Sequence, residues 1–137
     1  MFVKRSQSSV EYLIVIGFVT FAVMSILVVA FYYSGVARDR IRVNQLEIFS
    51  QKIINSAEAV FFAGEPSKST FSIYVPEGVY SISIPENDYY LVVSMSTSSG
   101  QIVRAFDSKV PINGTISASN GIKTIVMEAH ENYVQIN

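Results

Sequence analysis

The chain has 137 residues, 50% of them hydrophobic and only 15% charged, with a formal net charge of -1 and no cysteine. That length holds one small globular unit, the near-neutral balance leaves no basic footprint for nucleic acid, and the lack of cysteine removes disulfides, thiolate catalysis and zinc–thiolate sites together. A single membrane-length stretch, rather than several, accounts for the apolar excess.

The first element is a short basic leader, Met1 to Ser6, carrying Lys4 and Arg5. It is followed by Gln7-Ser8-Ser9-Val10-Glu11 and then by an uncharged run from Tyr12 to Tyr33. At roughly 1.5 Å per residue that run is about 33 Å long as a helix, the thickness of a bilayer core. A secretory signal peptide would have a shorter apolar core of about 7 to 15 residues, although Gly35-Val36-Ala37 does supply a small-x-small triplet. Orientation is undecided by flanking charge. Lys4 and Arg5 precede the run, but Arg38, Arg40 and Arg42 follow it with only Asp39 between them.

Glu11 is the one carboxylate beside the apolar run, and it has two readings. Ser8-Ser9-Val10-Glu11 has the S-x-x-E spacing of a capping box, with Ser8 as N-cap, and an acid in the first turn suits the helix dipole. Alternatively, a carboxylate at an apolar boundary calls for a positive partner, which a free α-amine on a neighbouring chain would provide.

Lys4-Arg5-Ser6 ahead of Gln7, Ser9 and Glu11, phased against a membrane-length helix, resembles the class III signal sequence of archaeal type IV pilin-like proteins. Ser6 departs from the commoner Gly before the cut, and Val15 from the usual Leu. The resemblance implies a mechanism in which a prepilin peptidase cleaves between Ser6 and Gln7. Glu11 then becomes the fifth residue of the mature chain, where such pilins carry their assembly glutamate. It also implies the other partners: a homo-polymer joined through N-terminal helices, a pilus assembly ATPase and its membrane platform, and the membrane itself before assembly. The amine of Gln7 and the carboxylate of Glu11 on an adjacent subunit would neutralise each other where neither has water. Loss of Lys4 and Arg5 would leave eight basic against eleven acidic side chains, a formal balance of -3.

Within the run, Gly17, Thr20, Ala22 and Ser25 are small positions that let helices approach closely. Ser34-Gly35 marks an expected kink or melted hinge. Beyond it Leu46, Phe49, Ile53, Ala57 and Val60 step by threes and fours, with polar residues on other faces. This predicts one helix over residues 7–63, its part from 34 to 63 an amphipathic stem, ended by Gly64-Glu65-Pro66. Phe61-Phe62 is expected to close the contact with the next domain.

From Ser67 the period changes to two. Phe71, Ile73 and Val75 and then Tyr80, Ile82 and Ile84 alternate with polar residues about Pro76-Glu77-Gly78, predicting a hairpin. Pro85-Glu86-Asn87-Asp88 turns into a third strand with Leu91, Val93 and Met95 inward. A fourth strand is expected over Ile102 to Phe106, a fifth over Val110 to Ser117 with a break at Asn113-Gly114, and a sixth over Ile122 to Met127 after an Asn120-Gly121 turn. Tyr133 to Ile136 closes the chain. The fold class is α+β: a long helix, apolar in its first half, followed by an antiparallel β-head at residues 67–137, a sheet or sandwich packed on the stem.

No catalytic constellation is visible, so the chain is read as a non-enzyme without cofactor or metal. His130 is the only histidine and reads as a solvated turn residue with no second His or Cys to share a metal. Glu86 and Asp88 read as turn chemistry, and no glycine-rich phosphate loop occurs. Asn113-Gly114-Thr115 is a glycosylation sequon expected in a loop, and Tyr74, Tyr89, Tyr90 and Tyr133 dot the predicted surface. The expected function is that of a structural subunit of an archaeal type IV pilus-like filament, single-span in the cell membrane as precursor and then at the cell surface with its β-head extracellular, serving adhesion. The alternative is a single-span anchored β-domain that binds a partner without polymerising.

Overall fold

The structure, a computed structural model, describes residues 3–137 apart from Asn87, and side chains from Ser9 onward. Met1, Phe2 and Asn87 of the predicted turn therefore lie outside the described residues. Helix α1 (Val3–Ala63) is followed by strands β1 (Lys68–Val75), β2 (Val79–Ser83), β3 (Asp88–Thr97), β4 (Gly100–Gly114), β5 (Gly121–Ala129) and β6 (Val134–Ile136). The fold is α+β, a long helix with a six-stranded sheet. By its contacts the chain divides into two compact units, Met1–Arg38 and Asp39–Asn137.

α1 is unbroken because no proline occurs before Pro66. The expected hinge at Ser34-Gly35 is absent: both residues are helical, since a lone glycine costs about 1 kcal/mol but leaves the hydrogen-bond ladder intact. The helix stops where predicted. Gly64 adopts φ 78°, its N–H donates to the Phe61 carbonyl at 3.0 Å, and its own carbonyl accepts from Ser67 N–H at 2.8 Å. This is a glycine C-cap, a conformation other residues adopt at a cost.

The core belongs to the second unit. Leu46, Phe49, Ile53, Ala57 and Val60, the stripe read from the 3.6-residue period, are all buried against the concave face of the sheet, with Ile73, Leu91, Val93, Met95 and Ile112 among their partners. Each large side chain so buried contributes about 1.5–3 kcal/mol. Phe61 packs against this cluster, but Phe62 is 72% exposed, because consecutive helical residues point about 100° apart.

Strand pairing departs from the expected hairpins. The sheet order is β1-β5-β6-β4-β3-β2, so β1 pairs with β5 and β2 with β3, and the predicted β1–β2 hairpin does not form. Pro76-Glu77-Gly78 is not a two-residue hairpin turn. Gly78, at φ 91°, gives its carbonyl to Ser96 N–H at 2.8 Å and so delivers the chain onto β3. β1 and β2 are the two outer strands of the sheet, yet only these three residues join them. Five strand spacings would put flat edges about 24 Å apart, whereas four Cα–Cα steps reach about 15 Å at most. The sheet is therefore strongly coiled around the stem.

Two further corrections follow from bulges. The register slips between Val79 and Ser81, so Val79 takes the inward place and Tyr80, expected inward, is exposed. The predicted fourth and fifth strands are one strand, β4, because its interruption is a bulge rather than a turn. Tyr90 pairs with Asp107 but Asp88 with Ile112, leaving Ser108 to Pro111 opposite Tyr89 alone. The bulge amides find side-chain acceptors: Lys109 N–H donates to Glu58 at 3.1 Å, and Val110 N–H to the Ser108 hydroxyl at 3.2 Å. Asn120-Gly121 does not form a hairpin turn, since β6 lies between β4 and β5. The sheet is mixed, its β4–β6 ladder being parallel.

Candidate functional site

The residues singled out at the N-terminus lie together on α1. Lys4, Arg5, Ser6, Gln7, Ser9 and Glu11 all fall within Val3–Ala63, and Gln7 and Glu11, four apart, share one face. The helix begins before Ser8, so Ser8 lies inside it and not at the N-cap position expected for it. The reason is positional: the cap belongs to the first turn, and Ser8-Glu11 here sits beyond it. The Glu11 side chain is exposed.

The following segment is an exposed apolar helix. Every residue from Tyr12 to Tyr33 is exposed except Ala22, which is half-buried. Among the described residues α1 is one helix long and apolar enough to cross a membrane. The Ser25 hydroxyl donates to the Phe21 carbonyl at 2.8 Å, which satisfies it within its own helix, and a Cβ built on Gly17 meets nothing within 4 Å. A single apolar N-terminal helix of this kind could anchor the chain in a membrane.

In the second unit the base of the stem is fastened to two turns. Asp39 accepts from Ser98, through its backbone N–H at 3.0 Å and through its hydroxyl, and Arg42 pairs with Glu77 at 3.0 Å. The sequence suggests Asp39 only as a flanking charge, and Arg42 as a flanking charge and one of the polar residues on the faces away from the stripe; the Glu77 pairing corrects the second placement. A signal was present: 39, 42, 46, 49 and 53 step by threes and fours, so Asp39 and Arg42 extend the buried stripe downward with polar residues.

The remaining candidates are placed as follows. His130 is half-buried rather than solvated, its ring stacked on that of Tyr133 with centroids 4.8 Å apart and its backbone N–H donating to the Tyr133 carbonyl at 2.9 Å. Adjacent Glu128 pairs with Lys68 at 3.5 Å. Glu86 is exposed and Asp88 half-buried at the start of β3. Among the described residues no group of three or more His, Cys, Asp or Glu could hold a metal ion. Asn113 does not lie in a loop: it is half-buried in β4, in register with Gln135. Gly114 sits at φ 136°, and a Cβ there would run into the Ile136 carbonyl. The sequon is drawn into the sheet because β6 pairs with this end of β4. Tyr74 and Tyr89 are exposed, Tyr90 and Tyr133 half-buried.

Comparison of the chain with protein-family models, with curated proteins and with solved structures finds no match in any of the three.

Proposed function

We propose that the chain is a pilin-like structural subunit, made as a precursor, cleaved between Ser6 and Gln7, and polymerised through its N-terminal helix into a surface filament of the archaeal type IV kind that displays the β-head for adhesion. The observation that carries this reading is the division of one helix into two halves. Residues 12–33 are apolar and exposed, while the stripe Leu46, Phe49, Ile53, Ala57 and Val60 is covered by the chain's own sheet. An uncovered apolar surface of that length needs lipid or other copies of itself. The processing motif directly ahead of it supplies a reason for exchanging one for the other: cleavage removes Lys4 and Arg5 and creates an amine to meet Glu11.

N-terminal sequencing of protein recovered from the cell surface tests it. A chain beginning at Gln7 supports the proposal; one beginning at Arg38 makes the apolar run a discarded signal and sinks it. An intact Met1 favours the second reading, an unprocessed single-span anchor, which the same uncovered helix also supports.

A further inference from the structure

Two of the head's open strand edges, those of β1 and of the first half of β4, match in chemistry. In β1, Ala129 N–H donates to the Ser67 carbonyl at 2.9 Å, so the odd-numbered residues face β5. The N–H and C=O groups of Lys68, Thr70, Ser72 and Tyr74 therefore point away from the sheet. In β3, Ser96 N–H goes to Gly78 on the β2 side, so β4 offers Gly100, Ile102, Arg104 and Phe106 to β3. Gln101, Val103, Ala105 and Asp107 point outward, because β6 meets β4 only at Ile112 to Gly114. All four are exposed, Val103 at 63%. Beside β1 runs a cleft of about 270 Å³, lined by Gln45, Ile48, Phe49 and Lys52 of α1 and by Ser72 to Tyr74. A sheet edge bordered by a helix and an apolar cleft is the setting in which an extended strand adds to a sheet.

We propose that the occupant of the β1 edge is the first half of β4 from a second copy of this chain, added antiparallel, so that the sheet continues from head to head. One register uses all four open positions on both strands: Lys68 opposite Asp107, Thr70 opposite Ala105, Ser72 opposite Val103 and Tyr74 opposite Gln101. It places opposite charges across the pair. The inner faces agree as well. Residues that are inward on β1 meet residues that are inward on β4, which brings Ile102, half-buried in its own head, opposite Ile73 at the cleft. The charges also discriminate against the symmetrical alternative. Two β4 edges paired over the same four positions would set Arg104 against Arg104, whereas on β1 it falls opposite Phe71. Because the two edges differ, the contact is heterologous and propagates from copy to copy instead of closing as a dimer. The proposal extends the filament reading to the head, and rests on it only for the crowding of copies side by side.

The absence of native cysteine makes the register directly testable. The full chain is produced as Thr70→Cys/Ala105→Cys, as each single variant, and as the register-shifted Thr70→Cys/Val103→Cys. Each is oxidised both in surface filaments and in detergent micelles. Cα atoms in the proposed pair would be about 5.5 Å apart, within disulfide reach. The expected result is a ladder of cross-linked species beyond the dimer in the first variant, at least tenfold more abundant than in the shifted one, with none in the singles. Filaments that assemble without this ladder overturn the edge pairing and leave the filament reading standing. A ladder in micelles from cells without filaments supports the pairing and removes the filament reading. Dimers from Thr70→Cys alone, or neither ladder nor filaments, overturn the pairing.

Discussion

Asp39 of α1 and Ser98 of the β3–β4 turn, fifty-nine residues apart in sequence, are joined by two hydrogen bonds, from the backbone N–H and the hydroxyl of Ser98 to one carboxylate oxygen. With the Arg42–Glu77 pair this fastens the first turn of the stem within its unit to the turns nearest it. Asp39→Ala leaves the Ser98 amide without its charged acceptor and should destabilise the head by about 1–2 kcal/mol. Ser98→Ala, which keeps the amide bond, should cost less than half of that. Denaturant unfolding of the full chain in detergent, followed by tyrosine fluorescence, measures both.

The two phenylalanines of the stem should behave oppositely. Phe49 is 2% exposed at the centre of the core, and Phe49→Ala is expected to cost about 3–5 kcal/mol. Phe62, on the outer face, should cost within about 0.5 kcal/mol when truncated. Equal losses in thermal unfolding would contradict the burial assigned here.

Ser50 is fully buried and its hydroxyl has no hydrogen-bond partner among the described residues. Desolvating a hydroxyl without compensation costs free energy, so Ser50→Ala should raise stability, by about 1 kcal/mol. A destabilised Ser50→Ala would mean that the hydroxyl is bonded after all.

Gly114→Ala preserves the Asn113 sequon as Asn-Ala-Thr but places a methyl group against the Ile136 carbonyl at a positive φ. The expected consequence is release of β6 from β4, seen as faster amide exchange at Val134 to Ile136 and a loss of about 2 kcal/mol or more. Unchanged exchange would show that the β4–β6 ladder tolerates a side chain there.

For assembly, Glu11→Ala is the discriminating substitution. Glu11 is exposed and belongs to the first unit, whereas the core residues all belong to the second, so head stability and membrane insertion should be unchanged while surface filaments are lost. Filaments in normal number would leave Glu11 with no role in pairing subunits.

Much of this was legible from residue order. The apolar run, the stem stripe from Leu46 to Val60, the Gly64 stop and the inward set Leu91, Val93 and Met95 are local periodicities, and local patterns survive into the structure because each element buries whichever face its own spacing makes apolar. The fastening of Asp39 to Ser98 was not legible, because its partners are brought together only by the fold.

By itself the sequence determined that a half-apolar helix precedes a small sheet, and which face of most strands is buried. Only the tertiary structure decided which strand lies beside which. A two-residue alternation specifies a face but carries no information about the neighbour. The choice of β5 for β1, of β6 for the end of β4, and of the stem as the core of a coiled sheet came from non-local contacts and from two bulges, one between Val79 and Ser81 and one in β4 whose amides are met by Glu58 and Ser108. The same non-local pairing leaves the outward edges of β1 and β4 open.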